Sequence, residues 1–203
     1  MRYQGKVYRP PSEADSLIIQ ATVGCPHNKC SFCNMYRDSQ FKIRTVKEIK
    51  HDLDLAKDYY GEKIDKIFFA DGNTILMKTE DLIEIFNYSN QLFSNLKRIT
   101  LYGSARFIIL KTLKELKKLR AAGLTRLHSG MESGDEQVLK LLNKGSTAQE
   151  VVKAGKLIKA AGIQLSEYYL VGAGGVKLSK EHAINSAHVL NGINPDFIRL
   201  RTL

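Results

Sequence analysis

Residues 98–129, RITLYGSARFIILKTLKELKKLRAAGLTRLHS, contain the pattern that decides the fold. A run rich in β-branched and aromatic residues at the start of this stretch predicts a strand, and a similar run at its end predicts another. Between them, Thr112 and Glu115 form the capping box that opens a helix, and Gly123 ends that helix. A strand, a helix and a strand in this order predict two parallel strands joined by a crossover helix.

The same alternation extends over most of the chain. Strands are predicted at residues 16–23, 66–70, 98–102, 126–129, 163–171 and 196–200, and helices at residues 46–60, 80–93, 113–122, 136–143, 148–161 and 180–190. Repeated βα units predict the α/β class, as an open partial (β/α)6 TIM-like barrel of parallel strands. Because the last strand has no helix to cover it, truncation after strand 6, with sequence missing downstream, is the favoured interpretation, and a barrel that is complete without a final helix is the alternative.

The composition describes one globular domain of 203 residues, of which 43% are hydrophobic and 26% charged. We divide it into a polar N-terminal extension at residues 1–15 and a core domain, the partial barrel, at residues 16–203. No apolar stretch approaches the roughly 18 residues that cross a bilayer, and the polar N-terminus lacks a secretory signal, so we expect no membrane contact and a cytoplasmic location. The formal net charge of +10 admits a nucleic-acid partner, although a solvated basic surface is the favoured interpretation.

Three cysteines, Cys25, Cys30 and Cys33, are clustered near the N-terminus, and the rest of the chain has none. An odd number of clustered cysteines favours metal binding over a disulfide framework. Three thiolates leave one position of a four-ligand site open. In a [4Fe-4S] cluster a nonprotein ligand can take this position. In a zinc site His27 would have to be the fourth ligand, and its place directly after Pro26 makes a tetrahedral arrangement difficult to form. The cluster is the favoured interpretation, and zinc or purely structural cysteines are the alternatives.

Polar residues and glycines follow every predicted strand. In barrels of βα units the active site lies at the carboxyl ends of the strands, so we expect these residues to meet at one edge. They are Gly24 and the cysteines after strand 1; Asp71, Gly72 and Asn73 after strand 2; Gly103, Ser104 and Arg106 after strand 3; Gly130, Glu132, Ser133 and Gly134 after strand 4; residues 172–175 after strand 5; and Arg201 after strand 6. The Glu132 carboxylate can accept hydrogen bonds from two vicinal hydroxyls, and the glycines beside it let a ligand approach closely.

The stretch GCPHNKCSFCNMY, residues 24–36, resembles the cluster loop of the radical S-adenosylmethionine superfamily. In that family three cysteines hold a [4Fe-4S] cluster, and the open iron chelates the amino and carboxylate groups of S-adenosylmethionine. The resemblance implies these cofactors for this chain, with Phe32 against the adenine. One difference is that four residues separate Cys25 from Cys30, where the family usually has three.

The resemblance extends beyond the cysteine loop. Residues 70–73 occupy the position of the motif that holds the methionine amino group, which implies cofactor contacts at Asp71, Gly72 and Asn73. Residues 119–145 are similar to the branch that contains oxygen-independent coproporphyrinogen oxidases, elongator-type proteins and methylthiotransferases. This similarity implies that Glu132 lies near the ribose of the cofactor, that Lys144 meets its carboxylate, and that Ser104 also contacts it. Stabilisation of helix ends is the alternative role for Glu132 and Lys144.

The implied activity is reductive cleavage of S-adenosylmethionine to give a 5'-deoxyadenosyl radical, which abstracts hydrogen from a substrate. An unidentified small molecule is the favoured substrate, and the resemblance implies an electron donor such as flavodoxin or ferredoxin. Modification of transfer RNA and decarboxylation of a porphyrinogen are alternative reactions. The alternative from another class is a non-enzymatic module that binds zinc or an iron-sulfur cluster.

Overall fold

A computed structural model describes residues 1–202, and its main feature is one parallel sheet with helices on its outer face. The strands are β1 (Leu17–Gln20), β2 (Thr22–Val23), β3 (Lys42–Ile43), β4 (Lys66–Ala70), β5 (Arg98–Tyr102), β6 (Leu124–Glu132), β7 (Gln164–Val171) and β8 (Phe197–Thr202). Six of them form the sheet in the order β1-β4-β5-β6-β7-β8, and each neighbouring pair is parallel. The predicted α/β class and the six-stranded partial barrel are confirmed.

The helices follow the strands as the sequence predicts. They are α1 (Val46–Tyr60), α2 (Thr79–Leu92), α3 (Ala105–Ile108), α4 (Leu113–Ala121), α5 (Glu136–Leu141), α6 (Ala148–Ala160) and α7 (Ser179–Ile193). The capping boxes at Thr45, Thr112 and Thr147 are all formed, each with the hydroxyl accepting from the backbone amide of the glutamate three residues later. Sequence reasoning missed only the single-turn helix α3 among these seven, because its four residues are too few for a periodic pattern.

The hydrophobic core lies between the sheet and the helices. Alternate residues of β1 and of β4 to β7 point outward into it, for example Ile67 and Phe69 of β4 and Leu127 and Met131 of β6, whereas Ile198 and Leu200 of β8 are exposed. The other face of the sheet carries polar and aromatic side chains toward the barrel interior, because successive strand residues point to opposite faces. Within residues 1–202, the helices are too short or too polar to cross a bilayer.

The predicted strand at residues 16–23 is divided at Ala21. β1 belongs to the main sheet, whereas β2 leaves it and pairs antiparallel with β3. The Ala21 carbonyl accepts a hydrogen bond from the Arg44 amide, which brings the chain after β3 back against this point. The result is a two-stranded ribbon that brackets the cysteine loop at both ends.

The N-terminal segment closes the barrel at the amino ends of the strands. Glu13 is fully buried there, where its carboxylate lies 2.8 Å from His128 Nε2 and accepts a 2.6 Å hydrogen bond from Ser16. Although burial opposes ionisation, the bonds from His128 and Ser16 lower the pKa of Glu13. The division into an extension and a core domain stays a prediction, and in the structure the extension is packed into the core.

Gly134, at the turn between β6 and α5, lies against the backbone of α7, where a Cβ would overlap the Asn185 carbonyl and approach Ser186 Cα to 2.6 Å. Helix backbone cannot move aside cheaply, so we expect Gly134→Ala to lower the free energy of unfolding in urea by about 2 kcal/mol. Gly192→Ala, inside α7 where a Cβ meets only Val152 at 3.9 Å, is the matched control. It should stabilise by up to about 1 kcal/mol. Equal effects of the two substitutions would contradict this packing.

Candidate active site

A cavity of about 490 Å³ opens at the carboxyl ends of the strands. Nearly all the predicted site residues line it, which confirms that the strand ends converge. They are Cys25, Cys30, Phe32, Cys33, Gly72, Asn73, Ser104, Glu132 and Lys144. Asp71 lies elsewhere, and the glycine loop at residues 172–175 after β7 also stays outside the cavity wall.

The cysteine loop is anchored on the turn between α5 and α6. The Ser31 amide donates to the Leu142 carbonyl over 2.9 Å, and the Asn143 side chain donates to the Lys29 carbonyl over 2.9 Å. Arg37 donates to the carbonyl oxygens of Asn28 and Cys30. These bonds fix a loop of little regular structure and turn its three half-buried thiols toward the cavity.

The three thiols are close enough to affect one another. Burial raises the pKa of Cys30, Cys25 and Cys33 raise it further, and the Lys144 ammonium acts in the opposite direction. No three His, Cys, Asp or Glu side chains in residues 1–202 are gathered tightly enough to hold a single metal ion. His27 is engaged elsewhere, with Nε2 2.7 Å from the Asn143 carbonyl and Nδ1 2.9 Å from Arg106.

Asp71 supports the loop from behind. Its carboxylate accepts hydrogen bonds from Gln20 Nε2 at 2.8 Å, from the Gly24 amide at 3.1 Å and from the Tyr36 hydroxyl at 3.2 Å. Burial raises the pKa of Asp71, and these bonds oppose that effect. The structure therefore gives Asp71 the surroundings of a positioning residue.

Gly72 and Asn73 contact the cysteine loop directly. A Cβ on Gly72 would lie 2.9 Å from Cys25 Cα, so only glycine lets the strand end approach the loop this closely. Asn73 Nδ2 points to Cys25 Sγ at 3.8 Å, and Asn73 Oδ1 accepts from the Ser104 amide at 2.6 Å. The Ser104 hydroxyl is buried at the cavity wall without a hydrogen-bond partner in the part of the chain that the structure describes.

Glu132 and Lys144 form an ion pair of 3.0 Å at the cavity wall. A Cβ on Gly130 would overlap the Glu132 carboxylate, so that glycine provides the space for the pair. Burial disfavours the Lys144 ammonium, but Glu132 and Cys30 outweigh it and raise the pKa of Lys144. Its Nζ also lies 5.7 Å above the centre of the Phe32 ring.

Glu167 on β7 is a residue that sequence reasoning missed. Its side chain is only 1% exposed, and one carboxyl oxygen has no hydrogen-bond partner in residues 1–202. Burial raises the pKa of Glu167 to about 8, against the opposing effects of Ser129 and Lys144. The only acidic residue of β7 was the available signal.

The cavity wall also contains six residues from the barrel and the N-terminal segment, of which the sequence had singled out only Arg201. They are Tyr8, Arg9, Tyr102, His128, Tyr168 and Arg201. The alternation in β7 and β8 was a usable signal for Tyr168 and Arg201, since residues two apart share a face. Tyr8 and Arg9 carried no signal, because nothing local shows that the N-terminal segment folds over the barrel.

A family model for the radical S-adenosylmethionine superfamily matches residues 19–186. The chain belongs to the radical S-adenosylmethionine superfamily. Members of this superfamily use a [4Fe-4S] cluster and S-adenosylmethionine, in agreement with the cofactors that the sequence implies.

Individual relatives of this radical S-adenosylmethionine chain are distant. An uncharacterised protein of Methanocaldococcus jannaschii is 29% identical over 184 residues, which are 83% of this chain and 49% of the relative. Among solved structures, the radical S-adenosylmethionine methyltransferase TsrM of Kitasatospora setae has a TM-score of 0.71 at 15% identity, covering 92% of this chain and 34% of TsrM. Coproporphyrinogen III oxidase of Escherichia coli has a TM-score of 0.63 at 16% identity, covering 92% of this chain and 43% of the oxidase. These likenesses show that the chain shares its fold with radical S-adenosylmethionine enzymes, coproporphyrinogen III oxidase among them.

The chain spans about half the length of the first of these relatives. At such identities the solved structures show a shared fold, and the substrate has to be argued from the residues of the cavity.

Replacing Glu167 by Gln tests its buried, protonated state. The pKa of Glu167 rises from its ordinary value of 4.5 to about 8 on folding, so between these values the folded chain keeps a proton that the unfolded chain loses. The free energy of unfolding then falls as pH rises through this window, by at most about 1.4 kcal/mol per pH unit. Glu167→Gln stays uncharged and escapes this loss, so its stability relative to the parent should increase from pH 5 to pH 8.

Urea denaturation at each pH measures the effect, with the exposed Glu181→Gln of α7 as the control for removing one carboxylate. A difference between parent and Glu167→Gln that stays constant across the window would show that Glu167 is already ionised at low pH.

Proposed function

We propose that this chain binds a [4Fe-4S] cluster through Cys25, Cys30 and Cys33 and S-adenosylmethionine in the adjoining cavity, and that it initiates radical chemistry on a small-molecule substrate. The observation that carries the proposal is that the three thiols and the Glu132–Lys144 pair face one cavity. Family membership supplies the chemical class. The electron would come from a carrier such as flavodoxin or ferredoxin.

The donor set of the cavity suits these groups. Three thiols of one loop are the ligands of a cluster that keeps one iron open. The buried Ser104 hydroxyl lacks a partner among the described residues, so it has a hydrogen bond to offer a ligand. Gly72 leaves space for the close approach of loop and strand that sets the position of Cys25.

Each remaining side chain has a distinct task in the proposed complex. Glu132 would accept hydrogen bonds from the two ribose hydroxyls, and Lys144 would pair with the carboxylate of the cofactor. Phe32 presents an apolar ring that would pack against adenine. That ring contacts a small cluster of Val138, Leu142 and Leu170, which keeps water from this side of the cavity.

A cluster held by Cys25, Cys30 and Cys33 would supply the electron for reductive cleavage of a carbon–sulfur bond of S-adenosylmethionine. The chain's own residues orient the reacting groups and exclude water, while the cofactors carry the difficult chemistry.

Anaerobic reconstitution tests the cluster. We expect roughly four irons and four sulfides per chain, visible absorption, and 5'-deoxyadenosine when a reductant and S-adenosylmethionine are added. Cys30→Ala should abolish the absorption and the cleavage, because two thiols cannot retain the cluster. Asn34→Ala, an exposed position of the same loop, should keep both. A colourless protein with stoichiometric zinc, or cleavage retained by Cys30→Ala, would refute the proposal.

Glu132→Gln tests the ribose contact. A neutral amide binds hydroxyls more weakly than a carboxylate, by about 1.5 kcal/mol, so the Kd for S-adenosylmethionine should rise roughly tenfold. Calorimetric titration of the reconstituted protein measures it, with Glu181→Gln on α7 as the control. If both variants bind as the parent does, Glu132 has no part in the site.

A further inference from the structure

Tyr102, Tyr168 and Arg201 lie close together at the cavity wall, and Arg9 also lines the cavity. Arg201 of β8 stacks over the Tyr168 ring at 5.4 Å from its centre. Arg9 belongs to the N-terminal segment whose Glu13 bonds to His128 inside the barrel. We call the end lined by Arg9, Tyr102, Tyr168 and Arg201 the arginine end.

The cavity wall has more positive than negative charge. Four cationic side chains line it, namely Arg9, Arg106, Lys144 and Arg201, against the single carboxylate of Glu132. That carboxylate is paired with Lys144, and Arg106 contacts His27. Within residues 1–202, Arg9 and Arg201 form no salt bridge. Two cations at the arginine end are thus available to a ligand.

The barrel interior beneath the arginine end adds to this positive charge. Arg199 and Arg201 pair with Tyr168 and Leu170 in the sheet, so both side chains face the interior. Arg199 Nε is buried without a hydrogen-bond partner in the described part of the chain. Below them, burial lowers the pKa of Arg126, and the charges of Arg98 and Arg199 lower it further, against the opposing effects of Glu13 and Asp196. Glu13, the carboxylate found there, is already shared by His128 and Arg98.

The Tyr102 hydroxyl remains a donor at the arginine end, whereas the Tyr168 hydroxyl already lies 3.4 Å from His128 Nδ1. Burial raises the pKa of Tyr102 and of Tyr168, so neither ionises near neutral pH. Two guanidinium groups and the Tyr102 phenol are donors suited to carboxylate or phosphate oxygens.

We propose that the arginine end binds a carboxylate or phosphate group, and that the substrate is therefore an organic anion. The identification of this ligand as the substrate rests on the proposed function, because the cofactor's own carboxylate is assigned to Lys144 at the other end of the cavity. A substrate held by its anionic group at the arginine end would extend toward the cysteines across the cavity.

Calorimetric titration with inorganic phosphate and with acetate, at constant ionic strength, tests the site. We expect millimolar binding of at least one probe, and the tighter probe identifies the anionic group. Arg201→Gln and Arg9→Gln should each weaken this binding about tenfold, because each removes a charged donor. Lys117→Gln, an equal change of charge on the exposed face of α4, should bind as the parent does. Undetectable binding of both probes, or equal weakening in all three variants, would overturn the proposal.

A second measurement on the parent chain requires no variant. Phenylglyoxal should modify Arg201 unless phosphate or acetate is present, as peptide mass spectrometry would show, and equal modification with and without the anions would overturn the proposal. Both experiments are run on the iron-free and the reconstituted chain. Anion binding without cleavage of S-adenosylmethionine by the reconstituted parent would refute the proposed function alone, and cleavage without anion binding would refute this inference alone.

Discussion

The buried Asp71 carboxylate is the constraint on which the site depends. It is only 1% exposed, and its three donors, Gln20, Gly24 and Tyr36, lie at the end of β1, at the start of the cysteine loop and at the end of that loop. One group therefore holds two neighbouring strands and both ends of the loop together. Because a buried polar group that loses a partner pays its full desolvation cost, these bonds are formed together or not at all. The positions of the thiols follow from a side chain that lies behind them.

The two acidic residues at the strand ends are both in the left-handed backbone region, which non-glycine residues rarely adopt. Asp71 has φ of 77° and Glu132 has φ of 62°. Such residues cost of order 1–3 kcal/mol and persist where surrounding contacts fix them. For Asp71 those contacts are its three donors, and for Glu132 they are the Lys144 ammonium and the space beside Gly130. In both cases the strain turns a carboxylate in a direction that an extended strand would not give it.

The left-handed backbone at Asp71 and Glu132 marks the limit of what the sequence could predict about the site. Helix starts were predictable because a capping box is local, as at Thr147, and the location of the site followed from the strand ends. The direction of a side chain just after a strand is not local, and so Asp71 faces the loop while Asn73, two residues later, faces the cavity. The burial of Glu13 against His128, 115 residues away, depends on the complete fold.

The Lys144 ammonium interacts with two carboxyl groups, those of Glu132 and Glu167. These two groups differ in their surroundings, and this difference determines the charge of the site. Glu132 is bonded to it directly at the cavity wall, whereas Glu167 is buried on the adjoining strand with a pKa of about 8. Near neutral pH Glu167 therefore keeps its proton, and the positive charge of Lys144 is not shared with a second anion. Were Glu167 ionised, its charge would attract the ammonium away from the cavity, since Coulomb energies in a buried site exceed those in water several-fold. A protonated acid beneath the ion pair thus leaves Lys144 directed at the cavity, where the anionic part of a ligand can bind it.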